Sequence, residues 1–153
     1  MKTHPEIGTL MEVHMVATAI DRFPISPCSS LLGRRVIDAR PDDGRIKIGF
    51  DGKQEFCNNA GLVQGGILAA MAEGTMAAAV FVMTDGKLYC PAISMTVNFL
   101  ATAKPGPIIG EAKVTQLGKT IAFIEGKLSA DDGTLLATAT SSARVVETAK
   151  AIR

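Results

Sequence analysis

Two kinds of hydrophobic pattern divide the chain. Residues 67–83 are apolar or small at almost every position, and a single charge, Glu73, interrupts them. Alanine, leucine and methionine favour a helix, and the run is about four turns long. A helix apolar on nearly every side must be wrapped by protein or lie in a membrane. Elsewhere the pattern is short and closer to alternation, as strands require. Residues 35–40 and 45–50 read as two strands, joined by the hairpin signal Pro41-Asp42-Asp43-Gly44. Residues 93–100, 108–117, 121–129 and 135–146 read as four more, with glycine in each separator. Before these, residues 9–20 form a candidate short amphipathic helix. Prolines break the chain at Pro24 and Pro27, and Ser29 to Gly33 looks like one helical turn ended by glycine. Two strands, one buried helix and four strands predict an α+β fold, an antiparallel sheet with one long central helix against a face. The expected organisation is an N-terminal arm at 1–28, one domain at 29–146 and a loose tail at 147–153.

A chain of 153 residues suffices for one domain that buries about 68–70% of its unfolded surface. A net charge of +1 implies no field for a polyanion. With no basic run, one tyrosine and no tryptophan, nucleic acid is not an expected partner. Cys28, Cys57 and Cys90 are an odd count at unrelated spacings, which reads as reduced thiols of a cytoplasmic protein, without a disulfide framework or zinc pattern. The first twenty residues lack the basic-then-apolar order of a signal peptide. Only the central run approaches the roughly 20 residues of a membrane span. Glu73 at its middle and ordinary globular sequence on both sides predict a soluble core helix instead.

Much chemistry is excluded by composition. Both histidines, His4 and His14, fall in the N-terminal segment, so a triad of nucleophile and histidine is not expected. There is no G-x-S-x-G, P-loop, G-x-G-x-x-G or H-E-x-x-H motif. The remaining acid, base or nucleophile in an apolar setting is Glu73. A carboxylate there is costly unless paired, hydrogen-bonded or used. Both a catalytic role and a structural one, in an ion pair or at a protein surface, fit that position. Gly65 and Gly66 precede the apolar run, where free N–H groups at a helix N-terminus suit a developing negative charge. Gly65 and Glu73 are eight positions apart, roughly 12 Å at about 1.5 Å per residue. Two groups so separated cannot act on one carbonyl from the same chain. If both serve one reaction, the second comes from another subunit, and the sites are composite.

The string Asn58-x-x-Gly61-x-Val63-Gln64-Gly65-Gly66, with an acid eight positions after Gly65, resembles the hotdog-fold acyl-CoA thioesterases. Within them it is similar to the phenylacetyl-CoA (PaaI-like) and 4-hydroxybenzoyl-CoA types. The likeness covers about residues 29–146 and extends to Ser94–Leu100 and to Gly118-Lys119-Thr120. It implies a curved antiparallel sheet around the long helix, subunits paired through their sheets, and two sites at the interface of a homodimer. A tetramer, as a dimer of dimers, is left open. The Gly65 N–H is implied as the oxyanion donor and Asn58 as the polar group that positions carbonyl or water, with Asn59 a second candidate. Glu73 from the opposite subunit is implied as general base or nucleophile, without metal or redox cofactor.

Two positions depart from the pattern of the family. Gln64 and Gly66 flank Gly65 as substrate-binding candidates, but Gln64 stands where a histidine is usual. Glu73 stands where much of the phenylacetyl branch carries aspartate. Lys119 and Thr120 fall where relatives contact the CoA nucleotide; a solvated hairpin turn explains them equally well. Ser94, Thr96 and Asn98 share one strand face, toward the acyl group or as an ordinary polar sheet face. Met71, Met76, Met83 and Met95 read as core filler. The acyl group itself depends on packing around Ala69, Ala70, Met76, Met95 and Phe99. The alternative to an enzyme is a non-catalytic acyl-CoA-binding module. A hotdog hydratase ranks last, since those enzymes carry a histidine near the helix.

Overall fold

The computed structural model describes residues 17–152. Most of the amphipathic helix expected at 9–20 lies outside them, as do both histidines. Where the description begins, Ala19–Arg22 forms a 3-10 turn capped by Thr18. It is followed by the short helix α1 (Pro27–Leu31), which Ser26 caps through a hydrogen bond from the Ser29 N–H. Six strands make the main sheet: β1 (Arg35–Arg40), β2 (Arg45–Gly52), β4 (Ala92–Phe99), β5 (Gly106–Leu117), β6 (Ile121–Ala130) and β7 (Leu135–Arg144). The central helix α2 (Gly65–Met83) lies between β2 and β4 in sequence. A two-residue ladder joins β3 (Leu88–Tyr89) to β8 (Val146–Glu147), and α3 (Thr148–Ala151) follows.

The sheet order is β1-β2-β5-β6-β7-β4, with every neighbouring pair antiparallel. Each strand alternates across the sheet, as a half-buried strand must. On β6, Ala122, Ile124 and Leu128 are buried, while Phe123, Glu125 and Lys127 face out. The inner face closes on α2, where Leu68, Met71, Ala72, Met76, Ala79, Val80 and Val82 complete the core with Ile48, Phe50, Ile108 and Leu136. The length and apolar composition of α2 would fit a membrane span. Here those properties serve a helix packed in a sheet. Met71 and Met76 are core residues, as expected, and Met95 is half-buried against the core. Met83, by contrast, is exposed at the last turn.

Small residues let helix and sheet approach. A side chain at Gly110 on β5 would collide with the Thr75 hydroxyl and come 3.2 Å from Phe50 Cε2. At Gly126 on β6 it would come 3.1 Å from Met76 Cγ. Thr75 is itself buried and donates its hydroxyl to the Met71 carbonyl at 2.8 Å, so it cannot swing away without losing that bond. Gly110→Val is therefore expected to destabilise by overpacking, by about 1–3 kcal/mol. Thermal unfolding checks it: Tm should fall several degrees, at about 2–4 °C per kcal/mol for a domain of this size.

Of the tail expected at 147–153, residues 147–152 carry a short strand pairing and a helical turn. The Thr148 N–H donates to the Lys87 carbonyl at 2.9 Å, and β8 pairs with β3 just after α2. The two ends of that clasp are far apart in sequence and only two residues long each, so no local periodicity announces them.

Candidate active site

The loop before α2 is built by its backbone. Cys57 and Val63 face each other across an isolated bridge, and the Asn58 N–H donates to the Leu62 carbonyl at 2.8 Å. Between them Gly61 turns the chain with φ +73°, a conformation glycine adopts without strain. The Asn58 side-chain oxygen accepts from the Ala60 N–H at 2.9 Å and the Leu62 N–H at 3.3 Å. Two donors aimed at one atom fix which end of the amide is oxygen. The Asn58 NH2 is left without an acceptor among the described residues, so the end of this side chain that stays free is a donor. Asn59 is exposed and makes no such bonds among the described residues.

The loop then hands over to α2. The Val63 N–H donates to the Ala103 carbonyl at 2.8 Å, and the Gln64 N–H to the Phe56 carbonyl at 2.9 Å. Gln64 is the N-cap: its carbonyl accepts from the Ile67 and Leu68 N–H groups at 2.9 and 3.2 Å, and its side chain makes no capping bond. In the cap Gln64 thus acts through its backbone, and its exposed side chain is left free. The N–H groups of Gly65 and Gly66 find no acceptor among the described residues, as expected of the first turn of a helix. A Cβ at Gly65 would sit 3.2 Å from Phe99 Cζ, whereas one at Gly66 would meet nothing within 4 Å. Asn58, Gln64, Gly65 and Gly66 therefore gather at one open helix end.

Glu73 lies two turns further along, half-buried. Its carboxylate takes part in none of the ion pairs or hydrogen bonds among the described residues. Burial in apolar surroundings pushes it above the usual carboxylate range. The ion pair that would have explained Glu73 structurally is not made among the described residues. Gly66, Ala70, Glu73 and Ala77 recur at helical spacing along one side of α2, and none of them is fully buried. A Cβ at Gly74, beside them, would also meet nothing within 4 Å. Among the described residues that stripe is only half covered.

Lys119 and Thr120 are elsewhere. A Cβ at Gly44 would lie 3.0 Å from both Met83 Sδ, in the last residue of α2, and Val114 Cβ of β5. The β5–β6 turn thus lies beyond the C-terminal end of α2, about 27 Å along the helix from Gly65. The chain does not bring this pair to the Asn58–Gly66 end. Ser94, Thr96 and Asn98 are exposed, with Met95 and Val97 turned toward the core. The Ser94 and Ser142 hydroxyls lie 2.8 Å apart on the outer face. The polar strand face is the outer face of the sheet, not a lining of the helix end. That face also carries a shallow groove of about 640 Å³ between Arg40, Arg45, Glu111 and Lys127, remote from the chemistry of α2.

A six-stranded antiparallel sheet around one long helix, with an open glycine pair at the helix start, defines a hotdog domain. Proteins similar to it in sequence and in structure agree. The family model of the Thioesterase superfamily matches residues 60–137, just over half the chain. A protein of Saccharolobus solfataricus, provisionally named as an esterase, is 28% identical over 107 residues, covering 70% of this chain and 76% of that one. A phenylacetic acid degradation-related protein of Ralstonia eutropha, provisionally named as a thioesterase, superposes with a TM-score of 0.77 at 27% identity, covering 82% of this chain and 95% of that one. The Escherichia coli PaaI protein of the phenylacetic acid degradation operon shares the fold, with a TM-score of 0.71 at 20% identity over 79% and 85% of the two chains. The chain belongs to the thioesterase superfamily, and it is a thioester hydrolase.

Proposed function

We propose that the protein hydrolyses an aryl- or acyl-CoA thioester to free acid and CoA in a composite site of a cytoplasmic homodimer. One observation carries this reading: an open pair of N–H donors and the Asn58 loop, whose amide NH2 is free among the described residues, precede α2, while a half-buried carboxylate with no partner among those residues waits two turns along the helix. The thioester carbonyl accepts from the Gly65 N–H, with the Asn58 NH2 as a second donor to the carbonyl or the water. Donors aimed at the developing oxyanion supply much of the catalysis in acyl transfer. Glu73 of the opposite subunit takes a proton from the attacking water, or itself attacks the carbonyl to form an acyl anhydride that water then hydrolyses to the free acid. The C–S bond breaks, and the departing thiolate is protonated to CoA.

The edges of the sheet favour dimer formation. Edge strand β4 exposes Ile93, and Leu100 is exposed beyond its end; large apolar groups on a sheet edge invite a second strand. Pairing two β4 edges extends one sheet across both subunits and closes over the half-covered stripe of α2. In that assembly Lys119 and Thr120 serve the nucleotide end of CoA only if they, like Glu73, come from a partner.

A thiol-release assay over phenylacetyl-, hydroxybenzoyl-, short- and medium-chain acyl-CoA tests the activity. Turnover of at least one class is expected. Acyl-CoA binding without turnover would instead make the chain a binding module. A carboxylate with no partner among the described residues argues against that, since it repels an anionic ligand.

A further inference from the structure

We propose that Phe99 is a positioning residue for the oxyanion donor, holding Gly65 in place and keeping water from its N–H; this rests on the thioesterase reading above. Alternation along β4 turns Met95, Val97 and Phe99 to the side of α2. Met95 and Val97 meet the core. Phe99, one register further, runs past it to the start of the helix. Its ring tip points at Gly65: Cζ, Cε1 and Cε2 lie 3.2, 3.5 and 3.6 Å from the place a Cβ would take. The other part of the ring is open, with 53% of the residue exposed.

That contact is braced from both sides. Phe99 is paired with Ala137 of β7, and the Leu100 N–H donates to the Leu136 carbonyl at 2.8 Å. The loop after β4 is tied to the loop before α2 through the Val63–Ala103 bond. A glycine at the first helical position has no side chain of its own to fix it, and its backbone is correspondingly free. The Phe99 ring supplies the missing packing from the sheet. An aromatic wall beside a backbone donor also lowers the local dielectric, which strengthens the bond the donor makes to a developing charge. Gly65 is then glycine because the ring occupies the space of its side chain. Gly66, whose side-chain direction is empty, faces the substrate or the partner.

The test is steady-state kinetics of the full chain on the acyl-CoA that the wild type turns over best, with Phe99→Ala, Phe99→Met, Gly65→Ala and the double variant Gly65→Ala/Phe99→Ala. A donor that matters most in the transition state shows its loss in kcat. Phe99→Ala is expected to lower kcat about tenfold, a fraction of the roughly 10²–10³-fold attached to losing an oxyanion donor outright, with KM within about twofold. Phe99→Met, long enough to reach Gly65, should recover most of it. Gly65→Ala should impair kcat alone and do so less in the Phe99→Ala background, where the new methyl has room. A rise in KM with unchanged kcat, or the same effect of Gly65→Ala in both backgrounds, overturns the proposal. Should Phe99→Ala fail to fold, Phe99→Met and Gly65→Ala still give the kcat–KM split. An inert wild type overturns the thioesterase reading and this proposal with it, whereas an active wild type indifferent to Phe99 overturns this proposal alone.

Discussion

Glu73→Gln is expected to abolish thiol release while raising the melting temperature at neutral pH. Glutamine keeps the volume and the polar end of the side chain but can neither take a proton nor attack as an anion. Loss of a general base costs typically 10²–10⁴ in rate, and the loss of a nucleophile at least as much. The gain in stability comes from the same burial. Apolar surroundings raise the carboxyl, so the folded protein holds this proton to a higher pH than the unfolded chain does. Where the folded state binds more protons, stability falls as pH rises. The penalty is therefore absent below the ordinary carboxylate value and complete above the raised one. At pH 7 the substitution removes a charge that the fold disfavours.

Thermal unfolding across pH resolves the point. The variant should melt higher than wild type at pH 7, and the two should converge as the pH falls below the ordinary glutamate value, where Glu73 is protonated in both states. A variant that melts lower at pH 7 would mean that the carboxylate has a partner in the assembled protein and a structural role. The rate of the wild type should show the complementary dependence. Base and nucleophile alike need the ionised form, so kcat/KM should rise with pH through the raised value of Glu73, at a pH above that of an ordinary glutamate. Function placed at the expense of stability is common at active sites.

Much of the fold is legible because it is written in local signals. Alternation marks β1, β2 and β4 to β7 to within a few residues, and Pro41 to Gly44 names its own turn, with Gly44 at φ +66°. The long apolar run marks α2, although the helix begins at Gly65, before the apolar residues do. Glycine pairs read as loop because their propensity is low, yet the first turn of a helix tolerates them. The site is legible in part. Asn58 with Gly61 three residues on is a turn signature, since asparagine accepts from N–H groups just beyond it. That signal would have shown its oxygen to be occupied and its NH2 free. The position of Lys119 and Thr120 is not local information. It depends on the β2–β5 register and on Gly44 lying close to Met83 and Val114, and so shows only once the sheet is assembled. The same holds for Phe99 against Gly65, a contact spanning 34 positions in sequence.

Asn58→Asp is expected to separate the two ends of one side chain. The asparagine oxygen holds the loop by accepting from the Ala60 and Leu62 N–H groups, and its NH2 has no acceptor among the described residues. Aspartate keeps an oxygen in that place, and as an anion accepts those bonds at least as well. It offers no donor. If the NH2 acts on the thioester carbonyl or on the attacking water, the variant should lose about 10²–10³ in kcat, the scale of a deleted oxyanion-hole donor, with Tm at or above that of the wild type. Asn58→Ala removes both ends. It should show a similar loss of rate, and it should also leave two loop N–H groups unpaired, at about 0.5–1.5 kcal/mol each. Tm should then fall by several degrees. The diagnostic quantity is the contrast between the two variants, read from Tm and kcat measured side by side. If Asn58→Asp retains full activity, the NH2 has no part in the reaction, and the residue serves only to shape the turn that presents Gly65.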